Sequence, residues 1–430
     1  MQPSSDKRTF LFLQGPHGPF FRLLADMVAR SGAKVWRVGF NAGDEAFWRD
    51  SKCFIPFCDS LKNWPATFEE IVEQKAVTDV VLYGDTRGIH AEAVKIAKAA
   101  GLTVHIFEEG YLRPFWVTYE RGGSNGNSRL MEISIDQMQQ ALAGSDLESP
   151  MPPAHWGDMR QHMFYGALYH WFVMFANGKY PAFQPHRSLN VRQEFALHCL
   201  RLLKTPRHAI QRRIATWRIR HGGFPYHLCL LQLEHDSSFR DHSPFSTMGE
   251  FLELVIENFA KGAPKHHHLV LKAHPLEDGR VKVRSLAMEY ARKYGVEDRV
   301  HFVRGGKLAQ LLNETRSVVT VNSTAGQQAL WRGIPVKIFG KAVYDQPEFI
   351  SNLSLRAFFG GATRPDMMAY RDYRRFLLET SQIAGGFYSR RGRQQLLRQV
   401  VDMMLAEEDP YAALQSGRAA PRQQLRAISN

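Results

Sequence analysis

A chain of 430 residues is too long for one ordinary core and suits two domains of roughly 150–200 residues each. It is 44% hydrophobic and 23% charged, with no uncharged apolar stretch of about 18 residues, so a folded protein without a membrane-spanning helix is expected. The start, MQPSSDKRTFLFLQGP, offers too short an apolar run for a secretory signal, and a cytoplasmic location is expected. Four cysteines without a CxxC pair argue against a disulfide framework, and a net charge of +13 attracts nucleic acid, anionic lipid or acidic small molecules without choosing among them.

In chain order, Thr9–Leu13 (TFLFL) reads as a buried strand and QGPHGP as a tight loop. A helix follows over Phe20–Ser31, with Phe21, Leu24, Met27 and Val28 at three- and four-residue spacing and Gly32 at its end. Lys34–Phe40 is the next strand. The order repeats as strand Asp79–Tyr83, loop Gly84–Gly88, helix Ala91–Ala100 and strand Thr103–Phe107. Strands alternating with helices at this spacing indicate a parallel sheet covered on both faces.

The region from about Pro150 to Gly223 is different, rich first in aromatics and histidine and then in arginine, and it reads as helical. Beyond it the alternation resumes with strands Tyr226–Leu233, Leu269–Ala273, Val300–Val303, Val318–Val321 and Val336–Phe339. Between them lie helices over Thr247–Phe259, Arg284–Lys293, Leu308–Glu314 and Ala325–Trp331. The tail looks helical at Tyr370–Leu378 and Arg391–Ala406, with a polar end. The expected organisation is a Rossmann-like domain over 7–149, a helical insertion over 150–223, a second Rossmann-like domain over 224–345 and a helical tail over 346–430. Two consecutive doubly wound halves of this α/β kind resemble the glycosyltransferase B architecture, in which the active site is the cleft between the domains.

Several segments can carry chemistry. In QGPHGPFF, the turn at Gln14, Gly15, His17 and Gly18 leads from a strand end into a helix start, where backbone N–H groups can hold an anion or a sugar. It lacks the spacing of GxGxxG or of a P-loop, and a purely structural turn is the alternative. In FEEGYLRP, Glu108 and Glu109 stand at a parallel strand end beside Gly110 and Arg113, where open α/β sheets bind ligands and a carboxylate can act as acid or base. In LVLKAHPLEDGR, Lys272, His274 and Pro275 close another strand and can meet a phosphate. In VTVNSTAGQQAL, Ser323 and Thr324 precede a helix that they would cap, and such a helix start can also hold phosphate.

Taken together, Glu108-Glu109-Gly110, His274-Pro275 and Ser323-Thr324 stand in the order seen in the capsule polysaccharide synthesis and export family of the KpsS/LipB type, whose members in turn resemble bacterial sialyltransferases. The opening FLFLQGPHGPFFRLLADMVARSGAKVWRVGFNAGD is also similar to the start of that family, and the likeness spans roughly Thr9 to Gln346. It implies a retaining β-Kdo transferase with CMP-Kdo as donor and a lysophosphatidylglycerol or phosphatidylglycerol acceptor. It also implies that His274, Ser323 and Thr324 hold the cytidylate phosphate, and that a carboxylate carries the sugar covalently. Asp236, in LQLEHDSSF, matches an aspartate of related retaining β-Kdo transferases. Glu234 is its rival, placed deeper in the sheet by strand alternation, and Glu109 is the acid/base partner with Glu108 turned away. Where the sialyltransferase pattern has an aspartate, this chain has two glutamates, which weakens transfer of residue roles from those enzymes. With no DxD motif in a suitable loop, neither a catalytic metal nor another cofactor is expected.

Finally, Arg207, Arg212, Arg213, Arg218 and Arg220 interleave with Ile210, Ile214, Trp217 and Ile219. On a helix Ile210, Ile214 and Trp217 form an apolar stripe bordered by charge, suited to the inner-membrane surface or else to the protein's own core. The competing functional readings are a sialyltransferase or nucleotide-sugar epimerase of similar architecture, or a non-catalytic export or scaffold protein among other capsule proteins. Nucleic-acid binding has only the charge in its favour, with no recognised motif.

Overall fold

The computed structural model describes residues 8–48, 50–143, 159–184, 191–277 and 279–418. The strands are β1 Thr9–Phe12, β2 Lys34–Gly39, β3 Phe54–Pro56, β4 Asp79–Tyr83, β5 Thr103–Glu109, β6 Trp116–Arg121, β7 Tyr226–Leu230, β8 His268–Ala273, β9 Val300–Arg304, β10 Thr315–Thr320, β11 Val336–Lys337 and β12 Gln382–Ala384. The helices are α1 Phe20–Arg30, α2 Ala42–Ala46, α3 Trp64–Lys75, α4 Gly88–Ala99, α5 Ile135–Leu142, α6 Met159–Phe175, α7 Val191–His221, α8 Ser237–His242, α9 Met248–Gly262, α10 Val283–Lys293, α11 Leu308–Leu312, α12 Gly326–Leu330, α13 Leu355–Gly361, α14 Met367–Glu379, α15 Arg390–Leu405 and α16 Pro410–Gln415. They fall into two compact units. Unit 1 comprises 1–192 and 374–430, and unit 2 comprises 193–373.

Unit 1 is built on a seven-stranded sheet of order β12-β6-β5-β4-β1-β2-β3. Strands β3, β2, β1, β4 and β5 run parallel, and successive side chains of a strand point to opposite faces. Phe10 and Phe12 pack with Phe20, Phe21 and Leu24 of α1 and Leu396 and Val400 of α15. Leu11 and Leu13 face the other way, with Val80, Leu82, Phe68 of α3 and Ala93 of α4. This double coverage is why TFLF and DVVLY read as continuous apolar runs. The wing beyond β5 is antiparallel, with Glu109 opposite Val117 and Gln382 opposite Thr118.

Unit 2 carries a five-stranded sheet, all parallel, of order β11-β10-β7-β8-β9. Cys229, Leu269, Leu271 and Val319 pack on Phe251, Val255 and Phe259 of α9, with Ala287 of α10 and Phe358 of α13. The order reverses at β7: the chain builds outward through β8 and β9, then returns to β7's other side as β10. Open α/β sheets bind ligands outside the carboxyl ends of the strands at such a reversal.

The division departs from the expected organisation in two ways. Most of the middle region does not form a separate insertion: α6 belongs to unit 1, whereas α7 continues through Pro206 and lies in unit 2 from Gln193 onward. Nor is the tail an appendage. From Arg374 it rejoins unit 1, where β12 hydrogen-bonds to β6 and α15 packs on α1. Its polar end, 419–430, lies outside the described residues.

Candidate functional site

In unit 2 the expected residues gather at the carboxyl ends of three adjacent strands. The loops after β7 and β10 are fastened by a reciprocal amide pair: Gln232 Nε2 donates to Asn322 Oδ1 (2.7 Å), and the Asn322 backbone N–H donates to Gln232 Oε1 (3.0 Å). Asn322 Nδ2 also donates to the Ser238 carbonyl at 2.6 Å, which ties α8 to the same loop. Both amides are buried, so their pairing fixes where Asp236, Ser323 and Thr324 stand. Sequence reasoning passed over this pair because its partners lie ninety residues apart.

Asp236 precedes α8 as its N-cap residue, but its side chain makes no capping bond, and the residue is exposed. Glu234 is differently employed: its Oε2 accepts the Met248 backbone N–H at 2.8 Å and so closes the amino end of α9. The expectation that strand alternation buries Glu234 in the sheet fails, because β7 ends at Leu230 and both acids lie beyond it. Its capping bond, not depth in the sheet, distinguishes it from Asp236.

Lys272 is only 5% exposed near the end of β8, and among the described residues neither a hydrogen bond nor an ion pair meets its ammonium. Burial alone pushes its pKa down to about 8. His274 accepts the Leu276 backbone N–H on Nδ1 at 3.1 Å, which makes Nε2 the proton-bearing nitrogen of the neutral ring. Pro275 follows, exposed. A cation that sequence reasoning missed joins them: Arg304, paired in register with Ala273 at the end of β9, keeps its buried Nε without a partner. Only the adjacency of β8 and β9 brings it to this edge.

Ser323 and Thr324 follow β10, but neither is the side-chain cap expected. Ser323 Oγ accepts from the Ala325 N–H at 3.3 Å, and α12 starts from Ala325 without a side-chain capping bond. With five residues, α12 also has a smaller dipole than a full helix would supply. The Ser323 carbonyl accepts the Tyr344 hydroxyl, whose oxygen lies 2.6 Å from where a Cβ on Gly326 would stand, so this turn requires glycine.

In unit 1, Glu108 and Glu109 end β5 beside Tyr83 at the end of β4, whose hydroxyl donates to Glu109 Oε1 at 3.4 Å. Burial, reinforced first by the charge of Glu109, pushes Tyr83 and Tyr388 upward. The charge of Glu108 acts on both phenols too, after that of Glu109. His162 stacks on Tyr388 at 3.9 Å between ring centres, and its pKa is lowered by burial against the opposing pull of Glu109. Gly110 is dictated by its neighbours, since a Cβ there would come within 2.3 Å of the Trp116 carbonyl oxygen. Arg113 Nε donates to the Gly110 carbonyl at 3.2 Å.

The QGPHGP loop is packed beneath α6. Gln14 is buried and donates to Asp44 at 2.9 Å. A Cβ on Gly15 would strike the Phe21 ring at 2.5 Å, and Gly18, at φ +114°, lies under Tyr165. His17 stacks on Tyr169 at 4.3 Å. On α7, Ile210, Ile214 and Trp217 are exposed together with Arg213, Arg218 and Arg220, whereas Ile219 is buried and Arg212 lies against Gly306.

The fold is that of a two-unit α/β protein with a mainly parallel sheet in one unit and an all-parallel sheet in the other. The chain belongs to the family of capsule polysaccharide biosynthesis proteins, which it matches over residues 78–388. It is 32% identical over 386 residues to the capsule polysaccharide modification protein LipB of Neisseria meningitidis, covering 88% of this chain and 91% of that one. It is 29% identical over 385 residues to the capsule polysaccharide export protein KpsS of Escherichia coli, covering 89% and 97%. Among solved structures, the β-Kdo 2,7 transferase KpsC of Thermosulfurimonas dismutans is 13% identical with a TM-score of 0.44, covering 92% of this chain and 100% of that one. Glu108, Glu109, Asp236, Lys272, His274, Ser323 and Thr324 all lie inside the family match, and the QGPHGP loop lies outside it.

Proposed function

We propose that this protein is a retaining β-Kdo transferase that moves Kdo from CMP-Kdo to a phosphatidylglycerol or lysophosphatidylglycerol acceptor, starting the lipid linker of a capsule polysaccharide. The observation that carries the reading is Lys272. A largely buried lysine whose ammonium meets no counter-ion among the described residues is costly unless an anion arrives to pair with it, and the phosphate of a nucleotide sugar is such an anion. Lys272 and His274, with Ser323 and Thr324 across the β7 reversal, are assigned to that phosphate, and no metal is invoked to neutralise it.

In the first step the Asp236 carboxylate bonds to the anomeric carbon of Kdo while the bond from that carbon to the CMP phosphate oxygen breaks. The electron pair leaves with CMP. In the second, an acceptor hydroxyl gives up its proton to a general base and its oxygen displaces Asp236 from the same carbon. Two inversions leave the configuration as it began. Asp236 is preferred because Glu234 is occupied by α9. The proposed workplace is the cytoplasmic face of the inner membrane, alongside other capsule synthesis and export proteins, with Arg212, Arg213, Trp217, Arg218 and Arg220 of α7 as one contact with anionic lipid.

The deciding experiment incubates purified protein with CMP-Kdo and a fluorescent phosphatidylglycerol analogue, then reads product mass and linkage. A β-linked Kdo on the lipid is expected. Transfer from a different nucleotide sugar, or no transfer at all, would sink the reading.

A further inference from the structure

Helix α6 is apolar nearly all round, yet among the described residues only one of its faces is covered. Tyr165, Tyr169 and Val173, at four-residue spacing, turn inward: Tyr165 and Tyr169 meet Phe47, Tyr169 stacks on His17, and the Arg393 guanidinium lies 5.3 Å from the Tyr165 ring centre. Opposite them, Phe164 is 61% exposed, Trp171 50% and Phe175 71%, with Met163 beside Phe164. A helix this apolar is ordinarily buried on all sides, and a contiguous exposed aromatic face marks a surface that something covers.

The charges around this face identify the occupant. From Met159 to Tyr180 the sequence contains no acidic residue. Arg160 is exposed in the first turn of α6, and the Arg390 backbone N–H donates to Gln161 Oε1 at 3.1 Å, which brings the exposed Arg390 and Arg391 beside that turn. Among the described residues, two carboxylates close to this helix are engaged elsewhere: Asp44 accepts from Tyr169 on the covered face, and Glu45 is paired with Lys179 and Tyr180. Trp, Phe and Met beside arginines, with no acid between Met159 and Tyr180, match the boundary between anionic headgroups and acyl chains, where aromatic rings sink in and guanidinium groups stay with the phosphates. At 17 residues and without a membrane-spanning segment among the described residues, α6 would lie in that boundary, not cross it.

We propose that the Phe164–Trp171–Phe175 face of α6 is a docking surface for an anionic phospholipid bilayer. The choice of phosphatidylglycerol as that lipid rests on the acceptor proposed above, whereas the docking is read from the helix itself. It places the membrane against the helix that roofs the His17 loop, and it differs from the arginine-rich stripe of α7.

The test is co-sedimentation of the full-length protein with phosphatidylglycerol/phosphatidylcholine vesicles in the absence of any sugar donor. The triple variant Phe164→Ser, Trp171→Ser, Phe175→Ser is expected to bind more than about tenfold more weakly than wild type, with unchanged circular dichroism and melting temperature. In a second arm, vesicles with brominated acyl chains quench wild-type tryptophan fluorescence, and Trp171→Phe loses much of that quenching while still binding. Trp171→Phe keeps an aromatic ring at this position, so this arm decides the matter even if the triple variant misfolds. Wild-type binding by the triple variant, or quenching indifferent to Trp171→Phe, overturns the proposal. So does a drop in oligomeric mass of the triple variant without vesicles, which would assign the face to a second copy of the chain. Because no donor is present, a protein that docks through α6 but makes no product from CMP-Kdo would remove the proposed activity and leave the docking surface standing.

Discussion

Each unit ends its central strands in charged side chains, but the two edges carry opposite chemistry. Unit 1 sets carboxylates among phenols, with Glu108 and Glu109 beside Tyr83 and Tyr388. Unit 2 sets two cations that no acid meets among the described residues, with Lys272 largely buried and the Nε of Arg304 unpartnered. The difference teaches that strand-end position says where a ligand binds, whereas the charge left uncompensated there says what kind. An acidic edge suits the taking of a proton from a hydroxyl. A cationic edge suits holding a phosphate.

The comparison breaks most sharply at the carboxylates. Asp236→Ala is expected to abolish transfer, by on the order of a thousandfold or more, while CMP binding persists in calorimetry and no sugar–protein adduct is seen by mass spectrometry. Glu109→Gln should also lose turnover but still accumulate the adduct, because the first step does not need its base. Full activity of Asp236→Ala would move the nucleophile to another acid.

Next in size is Lys272→Met, with His274→Ala beside it. Each should lower turnover by about a hundredfold through the lost phosphate contact. They should differ in stability. The folded pKa of Lys272 lies near 8 against 10.5 in the unfolded chain, so the folded state holds its proton less well, and the buried charge costs stability below about pH 8. Its replacement by methionine should therefore raise stability by roughly 2 to 3 kcal/mol at neutral pH while activity falls, measured by denaturant unfolding. In the wild type, CMP affinity should decline as pH rises above about 8, with proton uptake on binding. A destabilised Lys272→Met protein would mean that the ammonium already has a partner.

A third expectation concerns acid. At the amino ends of unit 2's strands, His227 lies between Ser317 and His267, and His268 meets His301. Burial lowers His227 to about 3 and His301 to about 4. Their stabilising contribution is complete above the unfolded value near 6.5 and is lost as pH falls toward those folded values, by about 1.4 kcal/mol per pH unit for each. His227→Asn and His301→Gln should flatten that slope in urea unfolding between pH 6.5 and about 4. The smallest effect sharpens the choice of nucleophile: Glu234→Ala should cost about 1 kcal/mol by releasing the amino end of α9 and leave turnover near wild type.

The parallel core was legible because strands covered on both faces must be apolar throughout, and TFLF, DVVLY and HLVLKA announce themselves that way. The antiparallel wing was not. WVTYER mixes apolar with polar side chains in no clean period, QIA is too short to signal, and the two pair only across more than two hundred residues. Position relative to strand ends led to Glu109, Asp236, Lys272 and His274. What each acid does depended on contacts that no spacing reveals: Glu234 and Asp236 stand two residues apart, and only the arrival of Met248 distinguishes them.

The return of the chain to unit 1 at Arg374 has a consequence for synthesis. When the ribosome has released the residues through Tyr373, every strand of unit 2 is available, but β12 and α15 have not yet been made. Unit 1 must wait with Phe10, Phe20 and Tyr119 lacking the cover of Ile383, Leu396 and Val400. The half of the molecule that begins first is therefore the half finished last, and a nascent chain stalled near 373 exposes the apolar surface that chaperones hold.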